Sequence, residues 1–265
     1  MRPRHWILRF AQNDMLRCRC FHTVECASGP GEFYSLTLAV TSLPVVALLE
    51  NLLRRKPVIW TLILLPGLWP VWPLFVTKDS SALTDPLKLI LHHLGFVACL
   101  LLATVLTFTP LRVLWPKSGL VQALNRHRRL VGVSAFAYAA IHYSVHLLYE
   151  GGVEFLPITL KADLSKPFLV TGMSALTILL GLSITSLHAA VRWLGGKRWK
   201  QLHRLAYVAA ALVAYHQAAA RKVFPMQVIY IFGPLVVLEI LRIYNPRGPN
   251  AQRSTLNSQR PSSLT

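Results

Sequence analysis

The sequence predicts an all-α integral membrane protein, a bundle of six transmembrane helices. Three observations carry that expectation: a shortage of charge, a series of long charge-free runs, and basic loops that alternate with balanced ones. Charged residues make up 14% of the 265-residue chain, 54% is apolar, and the mean hydropathy is +0.45. Soluble domains carry about 25% charged residues, so a water-soluble fold is disfavoured from the start.

A spanning helix needs roughly 20 mostly apolar residues. Residues 57–77, 89–111, 130–149 and 167–191 contain no Asp, Glu, Lys or Arg. Residues 205–220 and 223–238 are shorter charge-free runs. They reach spanning length if Lys200 and Arg204, or Arg242, snorkel from their ends. The expected organisation is an N-terminal extension over 1–54 that is disordered or carries one extra apolar segment, a six-helix domain over 55–245, and a disordered cytoplasmic tail over 246–265. Within the extension, the apolar stretch 33–49 reads either as an extra span or as a short signal-like segment. Cys18, Cys20 and Cys26 lie close together there but match no zinc spacing.

The net charge of +18 invites a nucleic-acid reading, which the placement of the charge opposes. Arg54, Arg55 and Lys56 precede the first run. Arg112, Lys117, Arg126, Arg128 and Arg129 follow the second. Arg192, Lys197, Arg198, Lys200 and Arg204 follow the fourth, and Arg242, Arg247, Arg253 and Arg260 follow the sixth. No acidic residue interrupts these four segments, whereas the intervening loops are nearly balanced or carry little charge. That alternation is the positive-inside pattern. It predicts a multi-pass membrane protein with both ends of the bundle in the cytoplasm.

Polar residues inside a span are costly and therefore point to function. Carboxylates are nearly absent from the runs, which weakens a proton-relay or cation-pump reading. Histidine remains, and a neutral imidazole both suits an apolar interior and ligates iron. His142 lies 13 residues beyond Arg129 and His216 lies 17 beyond Trp199. At 1.5 Å per residue these are depths of ~20 and ~25 Å on parallel helices. Two imidazoles at similar depth on neighbouring helices can clamp a planar macrocycle from both faces. His203 stands at the cytoplasmic end of the fifth run, either near a second cofactor or as an interfacial residue among basic neighbours. His92 and His93 open the second run, with one expected toward the bundle and the other solvated. His146 shares a face with His142, but no third ligand for a separate metal accompanies the two. His127 is expected to be solvated in its basic loop. With no Cys-x-x-Cys-His, covalent haem attachment is not expected.

Several stretches then carry a family resemblance. They are Asp-Pro-Leu-Lys-Leu-Ile-Leu-His-His-Leu-Gly (85–95), Thr-Pro-Leu-Arg (109–112), Arg-Arg-Leu-Val-Gly (128–132), Ile-His (141–142), Lys-Pro-Phe-Leu-Val-Thr-Gly-Met (166–173), and Thr-Ser (185–186). The most specific is Leu-Gly-Gly-Lys-Arg-Trp-Lys-Gln-Leu-His-Arg-Leu-Ala-Tyr (194–207), followed by His216. In this order, over residues 57–243, the chain resembles the haem-binding membrane subunits of bacterial methionine sulfoxide reductase systems, the MsrQ (YedZ) family. Their wider relatives are the ferric-reductase-like transmembrane domains.

The resemblance implies haem b with His142, His203 and His216 as ligand histidines, and His92 at a further family position. It implies FMN as well. It also implies electrons from a cytoplasmic flavin reductase or from quinol, and a periplasmic molybdopterin-containing reductase of the MsrP type as partner. The chain would then be an electron-transfer subunit and not the catalytic one. Two features depart from the pattern: His146 does not belong to it, and residues 1–54 have no counterpart. Arg128 stands 14 residues before His142, where the related oxidases carry a second histidine. Arginine stays protonated and does not ligate iron, but it binds anions such as a flavin phosphate or a haem propionate.

Two other functions compete. A stand-alone ferric or cupric reductase of the same fold shares every feature above. A transporter would need polar clusters at broken helices. Pro66, Pro70 and Pro73 do break the first run, but no such cluster accompanies them. No Gly-rich dinucleotide fingerprint follows a strand, so any NAD(P)H oxidation falls to another protein.

Overall fold

The computed structural model describes residues 36–151, 156–220 and 226–244, with the side chains of 36–44 and 81–82 left aside. The expected cytoplasmic tail and most of the N-terminal extension, including its three cysteines, lie outside the described residues. Among the described residues every regular element is helical. In chain order these are α1 (Leu36–Leu53), α2 (Lys56–Gly67), a π-helical turn (Trp72–Val76), α3 (Ser80–Thr84), α4 (Pro86–Leu114), α5 (Gly119–Arg126), and α6 (Arg128–Glu150). They continue with α7 (Leu156–Leu164), α8 (Pro167–Ile184), α9 (His188–Leu194), α10 (Gly196–Leu202), α11 (Leu205–Ala219), and α12 (Met226–Tyr244). One compact unit begins at Val45 and holds everything from the end of α1 onward.

Among the described residues, four helices are long and apolar enough to cross a membrane: α4, α6, α8 and α12. α11 is apolar but has 15 residues, and α2 has 12. The first charge-free run is therefore not one continuous helix. Proline has no N–H to donate and clashes with the preceding turn, and Pro66, Pro70 and Pro73 fall in succession. α2 stops at Gly67, and the chain re-forms as a π-helical turn in which the Thr77 N–H reaches the Trp72 carbonyl. The fourth run is likewise divided. α8 ends at Ile184, and His188 starts a separate helix, α9.

The bundle is arranged for lipid. Leu62, Leu64 and Leu65 of α2, and Ile229, Val236, Val237, Ile240 and Ile243 of α12, are exposed. A monomer in water rarely exposes so much contiguous apolar surface. Small residues line the interior instead: Ala98, Ala103, Ala135, Ala175, Ala209 and Ala210 are all buried, and they let helices approach closely where packing is the main attraction. α4 is the central element and packs against α6, α11, α12 and α2, while α8 packs against α11 and α6. Its start is well defined. Pro86 occupies the first turn, and the Asp85 carboxylate accepts from the Lys88 N–H at 3.1 Å, satisfying one of the helix's orphan donors.

The break in the first run also fixes two side chains. Pro70 cannot donate to the Pro66 carbonyl four residues earlier; that carbonyl accepts from the Trp69 N–H at 3.2 Å and, across the bundle, from His93 Nε2 of α4, whose ring stacks on Trp69. The Tyr138 hydroxyl of α6 donates to the Ile63 carbonyl at 2.9 Å. Gly67 makes room for it, because a Cβ there would lie 2.0 Å from that hydroxyl. His127, expected to be solvated, is only 6% exposed. The short helix α5 packs against both α4 and α6 and closes over the corner where His127 begins α6. Gly67→Ala is expected to lower stability by about 1–3 kcal/mol, the usual range for overpacking a filled site. Thermal unfolding of the purified protein in detergent checks it, against Gly181→Ala, where a Cβ meets nothing within 4 Å.

Candidate functional site: two facing imidazoles

His142 on α6 and His216 on α11 come together with ring centres 6.4 Å apart and planes at 82°. Each ring is set by the same local device. His142 Nδ1 donates to the Leu91 carbonyl of α4 at 2.9 Å, and His216 Nδ1 donates to the Phe168 carbonyl of α8 at 2.7 Å. Because a carbonyl only accepts, both rings carry their hydrogen on Nδ1 and keep a lone pair on Nε2. A hydrogen bond at one ring nitrogen commonly orients the other for a metal. Neither Nε2 has a protein partner among the described residues.

A glycine stands four residues after each accepting carbonyl, Gly95 after Leu91 and Gly172 after Phe168. A Cβ at Gly95 would lie 3.0 Å from the His142 ring, and one at Gly172 would lie 2.7 Å from the His216 ring. Side chains on a helix lean toward its N-terminus and cover the preceding turn. A larger residue at either position would therefore shield the carbonyl and push the imidazole away.

The two rings border a cavity of ≈ 300 Å³. Its lining is mostly apolar, with Phe96, Leu102, Leu176, Leu179 and Val213 among it, and its polar residues include His92, Tyr143, Glu150, Lys166 and Gln217. His92 is exposed and donates from Nδ1 to Lys88 O at 2.8 Å, while its neighbour His93 turns to α2. The pair thus divides between cavity and bundle. His146 also borders the cavity, but its Nε2 is engaged with both oxygens of Asp163 on α7, at 3.0 and 3.2 Å. Among the described residues, no group of three or more His, Cys, Asp or Glu side chains gathers in a metal-binding cluster.

His203 and Arg128 are not in this cavity. They meet at the other end of α6, around Trp199 of α10. The Arg128 guanidinium lies 5.8 Å from the centre of the indole, and the His203 ring lies 4.1 Å from it. Trp199 Nε1 donates to Thr185 O at 3.1 Å, and Thr185 Oγ1 lies 3.5 Å from His203 Nε2. Arg129 reaches His188 of α9. Among the described residues no second imidazole pairs with His203 as His216 pairs with His142.

Sequence reasoning had no access to Asp163, which looked like a balanced-loop residue and is 1% exposed. It also passed over Trp199, Gly95 and Gly172, although all three stand inside the stretches that carry the resemblance.

A helical membrane bundle with paired imidazoles between neighbouring spans defines a class, the ferric-reductase-like transmembrane proteins. Residues 94–214 match the family described as ferric reductase like transmembrane component. The chain is also 32% identical, over 192 residues, to the protein-methionine-sulfoxide reductase heme-binding subunit MsrQ of Brucella anthropi, an overlap of 72% of this chain and 84% of that protein. The chain belongs to the MsrQ family.

Proposed function

We propose that this protein binds haem b between His142 and His216 and serves as the membrane electron-transfer subunit of a methionine sulfoxide reductase system. The observation that carries the reading is a pair of rings 6.4 Å apart, each held through Nδ1 and each with an Nε2 lone pair that no protein group takes among the described residues. Two imidazoles bonded end-on to one metal, at about 2 Å per metal–nitrogen bond, place their ring centres about 6 Å apart. The observed 6.4 Å matches that spacing. The cavity that both rings border has a mostly apolar lining with a minority of polar side chains, which suits a macrocycle carrying two carboxylates. The residues therefore fit the group: His142 and His216 would hold the iron, and His92 and Lys166 border the polar part. Bound haem supplies one-electron exchange at its iron. The chain's own contribution is to orient the ligands through Leu91 and Phe168 and to exclude water with the apolar lining.

The inner cluster supports an entry site on the cytoplasmic side. Arg128 stacked over Trp199, beside His203, offers a cation and an aromatic face to a flavin phosphate or to an acidic flavoprotein donor. The FMN that the resemblance implies would meet Arg128 there. In this reading electrons arrive from a cytoplasmic flavin reductase or quinol and leave at the outer face for a periplasmic MsrP-type reductase. The surrounding basic residues also fix the topology, and the two roles are compatible.

Two experiments test this. In reduced-minus-oxidised spectra of the purified protein, His142→Ala and His216→Ala should each lose most of the haem. Gly172→Ala should lose more than Gly95→Ala, in line with the closer approach at His216. Haem content equal to wild type in both histidine variants would remove the assignment. For direction, donor confined to the cytoplasmic side of oriented vesicles should reduce the haem within a single turnover, and several-fold more slowly in Arg128→Ala and His203→Ala. Equal rates from either side would contradict an inner entry.

A further inference from the structure

Two histidines of α6 border one cavity, one helical turn apart. At a spacing of four residues they share a helix face. Both therefore stand where they can compete for a metal facing His216, which borders the same cavity. Their Nε2 atoms differ in one respect. His142 has given its hydrogen to the Leu91 carbonyl through Nδ1 and holds a lone pair on Nε2. His146 donates from Nε2 to the Asp163 carboxylate, so its remaining lone pair is on Nδ1, the nitrogen beside Cβ and the helix backbone, where the rim of a macrocycle would clash; only a released Nε2 could compete with that of His142.

We propose that Asp163 selects the iron ligand: by holding His146 Nε2 it withdraws that ring from competition and leaves His142 as the one α6 donor. The inference rests on the haem reading above. Three features make the hold firm. Asp163 is 1% exposed, so no bulk water is at hand to replace the imidazole, and leaving either buried partner unsatisfied is costly. Tyr143 stacks on the His146 ring, with centres 6.1 Å apart and planes at 30°, which limits its rotation. The carboxylate also belongs to α7, outside the spans that carry the ligands. The restraint on His146 is thus supplied by a connecting helix and is independent of the glycine-opened carbonyls that orient His142 and His216. Asp163 acts through His146 and is a positioning residue.

The test is low-temperature electron paramagnetic resonance of the oxidised holoprotein, with haem content measured alongside. Wild type should give one low-spin ferric signal. Asp163→Leu should add a second, which disappears in His146→Leu/Asp163→Leu. Asp163→Asn, isosteric and still able to accept a hydrogen bond, should show a smaller second signal; it decides the matter if the leucine variant fails to insert. In a His142→Ala background, Asp163→Leu should raise haem retention several-fold through the released His146. Haem-loaded Asp163 variants that keep only the wild-type signal, with no recovery in the double variant, would overturn the proposal and leave the haem reading standing. A wild-type protein without haem would overturn the haem reading itself, and this proposal with it.

Discussion

The site depends on a helix carbonyl that accepts a second hydrogen bond. Inside a helix each carbonyl already accepts from the N–H four residues on, and its other lone pair is normally covered by the side chain at that same position. Glycine removes the cover. The arrangement occurs three times here: Ile63 with Gly67 receives Tyr138, Leu91 with Gly95 receives His142, and Phe168 with Gly172 receives His216. In each case a polar side chain that would be expensive to leave unpaired in the membrane finds an acceptor on the neighbouring helix. Each such bond locks a helix pair, a ring orientation and, for the histidines, a tautomer in one step.

The two histidine cases are related. α4 stands to α6 as α8 stands to α11, with a glycine and a carbonyl on one helix holding an imidazole on the other. Both rings are thereby fixed in the same tautomer with Nε2 free, so that a metal bound as proposed would require little reorganisation. The opposite end of the bundle is built differently. There an arginine, an indole and one imidazole gather around Trp199, a composition suited to anions and stacking. The two ends of α6 thus differ in composition: two imidazoles with a free Nε2 meet at one, and a cation, an indole and one imidazole at the other.

Much of this was legible in the sequence. Charge-free runs and basic loops pointed to a helical membrane protein, and the depths of His142 and His216 brought two imidazoles to one level without any knowledge of their neighbours. What stayed hidden depends on partners distant in the chain. The pairing of Asp163 with His146 cannot be seen from spacing, since α7 looks like an ordinary loop segment. Gly95 and Gly172 look like any glycines in apolar helices until the rings that press against them are known. The broken first span was half visible: Pro66, Pro70 and Pro73 announced a break, but not that His93 would reach across from α4 to the Pro66 carbonyl. His127 misled because a basic loop suggests water, while the short α5 folds over that corner.

The central proposal is that His142 and His216 would hold one iron between them, and the 82° between their ring planes would then carry into the holoprotein. The relative orientation of axial imidazole planes governs the anisotropy of a low-spin ferric centre. The most direct measurement is the electron paramagnetic resonance spectrum of the oxidised wild-type protein as purified, before any variant is made. A strongly anisotropic low-spin signal, as near-perpendicular ligand planes produce, is the expected result. A high-spin signal, or the ordinary rhombic low-spin signal of near-parallel planes, would contradict the account.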